Sequence, residues 1–479
     1  MRLARFQILL LLAIAGALGA CDSRFHSSRA MLESAHETGA FQAAAEVLDD
    51  PQTLSAYGER NKLLYWLERG SVALANGRDA EAIDSLNKAD DYMEVLRKPT
   101  TGDEIGMWLL NDTAAPYYAS SFEDMYINVL KLLAHLQAGR VAAVADPLAP
   151  AEQQALGAAS IEARRLASKS DFLRDRYVRA ADALKRTKDY AAARAALGDR
   201  VEFSQDNQFV ESPLGTYLSA VTFMKSGEPS LQEVAGRRLQ SALDLQWATQ
   251  SRVNRTDFAG LGSMQARDAN VLFVAFSGRA PTKQPERFGP VPIYSYTLYF
   301  EVPRLVPHPS RANSVRVTVE RAGAADADAP AQASVLSQDL SLVENLGAVA
   351  QQHFDRELPG IITRTILRSS AKAAAWAVGT EAARRATRKK ESAQAAVEIA
   401  GIIGGLLFVT QTEKADLRSW LFLPAQAHVG LARLEPGTYR ARLDYLSSSG
   451  GTLYSGPWRT FDVKPGERAL STVLEQWWN

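Results

Sequence analysis

A recurrence of small residues at helical spacing limits this chain more than any other feature. In the segment 63–93, Trp66 is followed by Gly70, Gly77, Ala82, Leu86 and Ala89. Trp66 and Gly70 are about one helical turn apart, Gly77 sits where a helix stops, and Ala82, Leu86 and Ala89 share one face of a second helix. Two antiparallel helices approach closely only where small side chains face each other, while larger ones fill the seam between successive hairpins. The offsets recur upstream at Gly39, Ala44 and Leu48, and downstream at Tyr177, Ala181, Leu184, Ala193 and Leu197. A looser copy runs through Ala220, Phe223, Gly227, Ala235, Leu239 and Ala242, its loop lengthened around Glu228-Pro229-Ser230. One hairpin alone leaves an apolar face wet, so the recurrence predicts a stack.

These offsets match the tetratricopeptide pattern, and they predict an α-helical tetratricopeptide-like solenoid over residues 30–250. Phe122 to Ala138 and Ala151 to Ser168 read as two more helices, separated by a loop holding Asp146-Pro147 and Pro150. This pair fits the spacing poorly, and a non-repetitive helical bundle is the alternative. Trp108, Tyr117, Tyr118 and Tyr126 form a contact patch or fill the seam between hairpins, and packing is the preferred reading. A curved repeat surface binds peptides or protein elements rather than enclosing a pocket for chemistry.

Beyond residue 265 the pattern changes to period two. Asn270 to Ser277 reads as a continuous apolar strand, Gly278 to Pro290 as a loop punctuated by proline and glycine, and Pro292 to Val302 as a second strand. Val315, Val317 and Val319 alternate with Arg316, Thr318 and Glu320, giving one buried and one wet face. Strands resume near Ser419 as a run of hairpins ending in Leu470 to Gln476. Leu434 to Tyr439 resembles a tyrosine corner, in which a tyrosine hydroxyl bonds backbone across a bend between sheets. The fold expected is therefore α+β and multidomain. The solenoid precedes a β-sandwich-like domain in two parts, 265–339 and 412–479, interrupted by a helical insertion over 340–411. In the insertion, Ser341 to Glu357 reads as an amphipathic helix ending before Pro359, and Ile361 to Lys390 as a second. Ala395 to Val409 follows, with Gly401 and Gly405 four apart. The insertion is a buried hairpin on the sandwich or a membrane-associated one, its basic residues Arg384, Arg385, Arg388, Lys389 and Lys390 at a phospholipid surface.

The chain begins with Arg2 and Arg5, an apolar run from Ile8 to Leu18, and then Gly19-Ala20-Cys21. The run is shorter than the roughly 20 residues a bilayer span needs and reads as a secretory signal. Leu18 to Cys21 resembles the lipobox of bacterial lipoproteins, which implies a signal peptide over 1–20, lipidation of Cys21, and a short tether over 21–29. Cys21 is the one cysteine in the chain, so it has no partner for an internal disulfide. Asp22 resembles the inner-membrane retention signal of enteric lipoproteins, which favours the inner membrane over the outer. Lysine plus arginine and aspartate plus glutamate are equal at 54 each, and this balance gives no field for nucleic acid.

Catalysis needs convergent groups, and the spacings that provide them are missing. His26, His36, His135, His308, His353 and His428 include no pair at metal-ligand spacing, and no nucleophile elbow, phosphate loop or dinucleotide fingerprint occurs. Ser85 and Lys88 match an SxxK spacing, but Leu86 between them is a repeat core position. No catalytic residue, cofactor site or metal site is therefore assigned. Together, the lipobox, the 63–93 repeat, the glycine-bearing apolar helix and Asp416 to Pro424 resemble a group of uncharacterised proteobacterial lipoproteins with tetratricopeptide-like N-terminal regions. The resemblance implies a lipid-anchored protein facing the periplasm that binds an envelope protein partner. The alternatives are a membrane-associated assembly or transport accessory working through 361–409, and a cell-wall-binding or hydrolytic envelope protein. None of these readings sets an oligomeric state.

Overall fold

Local start and stop signals shape the helical half. The computed structural model describes residues 24–97, 115–145, 151–204, 211–226, 229–244, 268–293, 296–322, 334–386, 414–466 and 469–478. The first helix covers 24–38 and stops at Gly39, whose φ of 68° favours glycine. After the Phe41–Asp49 helix, the Asp50 carboxylate accepts the Gln52 N–H at 2.9 Å, and Pro51 opens the Pro51–Ala75 helix. This helix is broken at Gly58 and ends at Gly77, where φ is 69°, before the chain returns as Asp79–Arg97. A β-carbon on Gly70 would lie 2.6 Å from Leu86 Cγ, so glycine is what allows the two helices this approach. Ala82, Leu86 and Ala89 are fully buried in the same seam. Trp66 is half-buried, with the Lys88 ammonium 4.6 Å above its ring.

The next pair, Ser121–Ala145 and Ala151–Lys185, is held differently. Its seam with the Asp79–Arg97 helix is a buried ion network. Lys131 reaches Asp90 at 3.1 Å and Glu162 at 3.2 Å, while Lys169 reaches Asp90 and Asp124 at 2.9 Å each. Burial pushes the Asp90 carboxyl up, but the Lys169 and Lys131 ammonium groups outweigh it and hold it at about 2. Charged side chains thus fill this seam, where small apolar ones fill the seam at Gly70 and Ala82. The Ala151–Lys185 helix also runs unbroken through Tyr177, Ala181 and Leu184, so no turn separates 151–168 from that repeat copy. Thr187 caps the following Lys188–Leu197 helix, and Pro213–Ser226 and Pro229–Asp244 complete the helical half.

The second half is a curled sheet. Its strands are β1 (Val271–Ile293), β2 (Tyr296–His308), β3 (Ser314–Arg321), β4 (Leu336–Asn345), β5 (Pro424–Ala432), β6 (Gly437–Leu446), β7 (Thr452–Ser455), β8 (Arg459–Val463) and β9 (Ser471–Trp477). Among the described residues the path runs β2-β1-β5-β4-β3-β6-β7, with β8 on β6 and β9 on β1. All pairings are antiparallel except β1 with β9. The alternation of β1 links the two halves. Val271, Phe273 and Ala275 join a core with β3, β6 and β8, whereas Leu272, Val274 and Phe276 join the core of the helices. A strand covered on both faces must be apolar throughout, as Val271 to Phe276 is.

Three elements differ from the expectation, each for a local reason. The 278–290 stretch continues β1 as a ribbon with β2, although it carries Pro281, Pro285 and Pro290. Past Arg279 the described ladder pairs β1 with β2 alone, so a proline whose missing N–H faces away from β2 removes no ladder bond. Residues 341–345 belong to β4, and the helix begins at Leu346, where the Asn345 side chain accepts the Ala348 N–H at 3.2 Å. That helix then passes through Pro359 and runs Leu346–Ala386 as one element. The tyrosine-corner bond is present, with the Tyr439 hydroxyl donating to Glu435 O at 2.8 Å. Cys21, Trp108, the cluster Arg388 to Lys390 and the glycines 401 and 405 lie outside the described residues.

Candidate functional site: a cleft at the helix–sheet junction

The junction is built on one glutamate. At the start of the Ser121–Ala145 helix, the Glu123 side chain reaches back to cap Ser120, one half of a capping box. The Ser120 N–H donates to Glu123 Oε2 at 2.8 Å and its hydroxyl at 2.5 Å. Glu123 is completely buried, and its other oxygen accepts the Tyr117 hydroxyl and the Trp420 N–H, both at 2.8 Å. Trp420 is 2% exposed, and its indole N–H donates to the Ser71 hydroxyl at 3.0 Å. Residues 414–423 thus thread from the insertion back to the sheet while locked into the helical half. Arg418 extends the lock by donating to Asn61 Oδ1 at 3.0 Å and Ala115 O at 3.2 Å, and its guanidinium covers the Tyr117 ring. The first helix is tied in by Arg29, which bridges buried Glu68 and donates to Ser419 O at 3.1 Å.

Beside this lock lies an open cleft of about 300 Å³. Its floor is apolar and aromatic, from Tyr118, Leu173, Tyr177, Leu184, Phe203 and Ile361. Burial pushes the phenols of Tyr118 and Tyr177 up, so both remain neutral donors near pH 7. Gly360, just after Pro359, opens the wall contributed by the Leu346–Ala386 helix. A β-carbon there would meet Arg364, Phe203 and Leu184 at 3.5 Å or more.

Three cations and two acids line the cleft: Arg176, Lys283, Arg364, Glu357 and Asp416. The acids are already engaged. Glu357 accepts the Ser121 hydroxyl and N–H, and Asp416 is paired with Arg418 at 2.6 Å. Arg176 stacks on Tyr118, 4.6 Å from the ring centre, and donates to its hydroxyl. Lys283 donates to Arg418 O at 3.0 Å. Among the described residues neither Arg176 nor Lys283 has a carboxylate partner. The cleft therefore sets an apolar, aromatic floor beside cationic side chains.

Of the residues singled out by the sequence, Tyr118, Tyr177, Ala181 and Leu184 line the cleft, and the repeat-packing set of 63–93 sits elsewhere. Trp66, Gly70, Gly77, Ala82, Leu86 and Ala89 gather at one helical hairpin, at its seam and its turn, and none of them lines the cleft. Among the aromatics, Tyr117 and Tyr126 are buried, and Tyr118 lines the cleft. Arg176, Lys283, Phe203 and Gly360 carried no sequence signal, because they come from elements far apart in the chain. Ser120 and Glu123 carry the Ser-x-x-Glu spacing of a helix start, a local signal beside the site.

Among the described residues, no group of three or more histidine, cysteine or acidic side chains is placed to hold a metal ion, and no helix is long and apolar enough to cross a membrane. Compared with protein-family models, curated proteins and solved structures, the chain matches none.

Proposed function

We propose that this protein is a lipid-anchored scaffold of the bacterial cell envelope, held at a bilayer through Cys21, that binds a protein partner through its helical half. In this reading the helical pairs are a tetratricopeptide-like solenoid and the curled sheet is a sandwich-like support. The close approach at Gly70 and Leu86 and the turn at Gly77 favour the first; the core shared by β1, β3, β6 and β8 favours the second. The observation that carries the proposal is the cleft, whose tyrosines and arginine are the residue types that dominate protein–protein hot spots. The first described helix begins at Arg24, three residues after Cys21, so a lipid there keeps the helical half near the membrane. Over Ile362 and Ile366 the insertion helix is spent on the β1–β2 ribbon and the Lys188–Leu197 helix, which favours scaffolding over bilayer insertion for that part.

The test pairs two variants of the full chain. Cys21→Ser is expected to move the protein from the membrane to the soluble fraction. Gly360→Leu, which fills the cleft, is expected to stay on the membrane and lose the protein that co-purifies with wild type. Membrane retention of Cys21→Ser, or an unchanged co-purifying set with Gly360→Leu, overturns the proposal.

A further inference from the structure

We infer that the cleft recognises an acidic segment of the partner, one that presents a carboxylate side chain next to an aromatic or large apolar one. The inference rests on the protein-binding reading above and names the chemistry of what is bound.

Charge and shape both point this way. Arg176 and Lys283 reach the cleft from opposite halves of the molecule, the first from the Ala151–Lys185 helix and the second from β1. Each is half-buried, and their present acceptors are neutral oxygens, the Tyr118 hydroxyl and Arg418 O. The two carboxylates of the lining do not offset them, because Asp416 is neutralised by Arg418 and Glu357 is turned to Ser121. A negative group entering beside Arg176 and Lys283 gains charge-assisted hydrogen bonds without displacing an ion pair of either among the described residues. Arg176 is also pre-oriented by its stack on Tyr118, which lowers the ordering cost of binding. Next to these cations lies the floor of Tyr177, Phe203, Leu184 and Ile361, a surface for a ring or branched chain. The volume of about 300 Å³ admits one or two side chains rather than a folded element.

Three dipeptides that differ in one charge separate this from general stickiness: acetyl-Phe-Asp-amide, acetyl-Phe-Asn-amide and acetyl-Phe-Lys-amide. Their binding to the purified full chain is read by saturation-transfer NMR and titration. The aspartate peptide is expected to bind about tenfold more tightly than the asparagine one, the scale of a charge-assisted bond, with the lysine peptide weakest. Arg176→Gln and Lys283→Gln should each erase most of that preference while leaving the thermal midpoint near wild type. Gly360→Leu should abolish binding of all three. Equal binding of the three peptides, or a preference that survives both charge variants, overturns the inference. Failure of the protein-binding reading looks different: selective binding of the aspartate peptide then persists, although no protein co-purifies through the cleft.

Discussion

At the residue scale, the buried polar groups carry the most specific information, and the sequence conceals them. Glu344 is fully buried at the start of the Pro213–Ser226 helix, where its Oε2 accepts the Ser212 hydroxyl at 2.6 Å and the Leu214 N–H at 2.8 Å. Burial pushes its carboxyl up to about 7 against those bonds, from 4.5 in an open chain. Between these values the folded state holds a proton that the unfolded chain has released. The contribution to stability is therefore full below 4.5 and is lost as pH rises through about 7. His36 has the opposite sign. Burial, helped by Arg279, lowers it from 6.5 to about 3, so its contribution is full above 6.5 and is lost as pH falls toward 3. The two trends oppose each other in wild type, and a variant separates them. Glu344→Gln removes the first, so the stability of wild type relative to this variant should fall on the order of 3 kcal/mol from below pH 4.5 to above pH 7. Denaturant midpoints across that range check it, and a constant difference contradicts it. Nothing near Glu344 in the chain announces this, because its partners Ser212 and Leu214 lie about 130 residues upstream.

At the element scale, legibility follows the range of the physical cause. Gly39 and Gly77 act within a few residues, so the turns they mark could be read directly. The continuation of β1 past Gly278 could not, since its prolines signal a loop unless the lone pairing with β2 is known. β4 was hidden for a related reason: Leu340, Leu342 and Val343 are all buried, a run that suits a helix face as well as a strand covered on both sides. The 414–423 segment is the element on which the two halves depend. Trp420→Ala leaves a cavity between the Pro51–Ala75 helix and the sheet core and removes the bond to Ser71, and it should cost about 3–5 kcal/mol. Because both halves share that core, far-UV circular dichroism and the near-UV signal of the sheet tyrosines should shift to lower denaturant together. A helical transition that stays at its wild-type midpoint would contradict the shared core.

At the scale of the whole molecule, the helices and the sheet meet in one apolar cluster that runs from Leu32 and Leu63 through Leu133 to Leu272, Phe422 and Trp478. The small-residue recurrence and the change to period two near residue 265 pointed to an α+β protein, which the mixed architecture fits. Leu272, Val274 and Phe276 of β1, with Trp420 and Phe422 of the 414–423 segment, join the helical core and turn the two regions into one body with a cleft at their junction. A cleft formed by that joining has no local signature, which is why the sequence pointed to the repeat seam and not to Arg176 and Lys283. The central claim is that this cleft is where a partner engages a membrane-held scaffold. Site-specific photo-crosslinking tests it most directly, with a benzophenone side chain at the cleft residue Ala180 and, as control, at exposed Glu59, in membranes carrying the full chain. The account predicts one discrete adduct from position 180 that disappears with Gly360→Leu, and none from position 59. Equal labelling from both positions, or no adduct from 180, would contradict it.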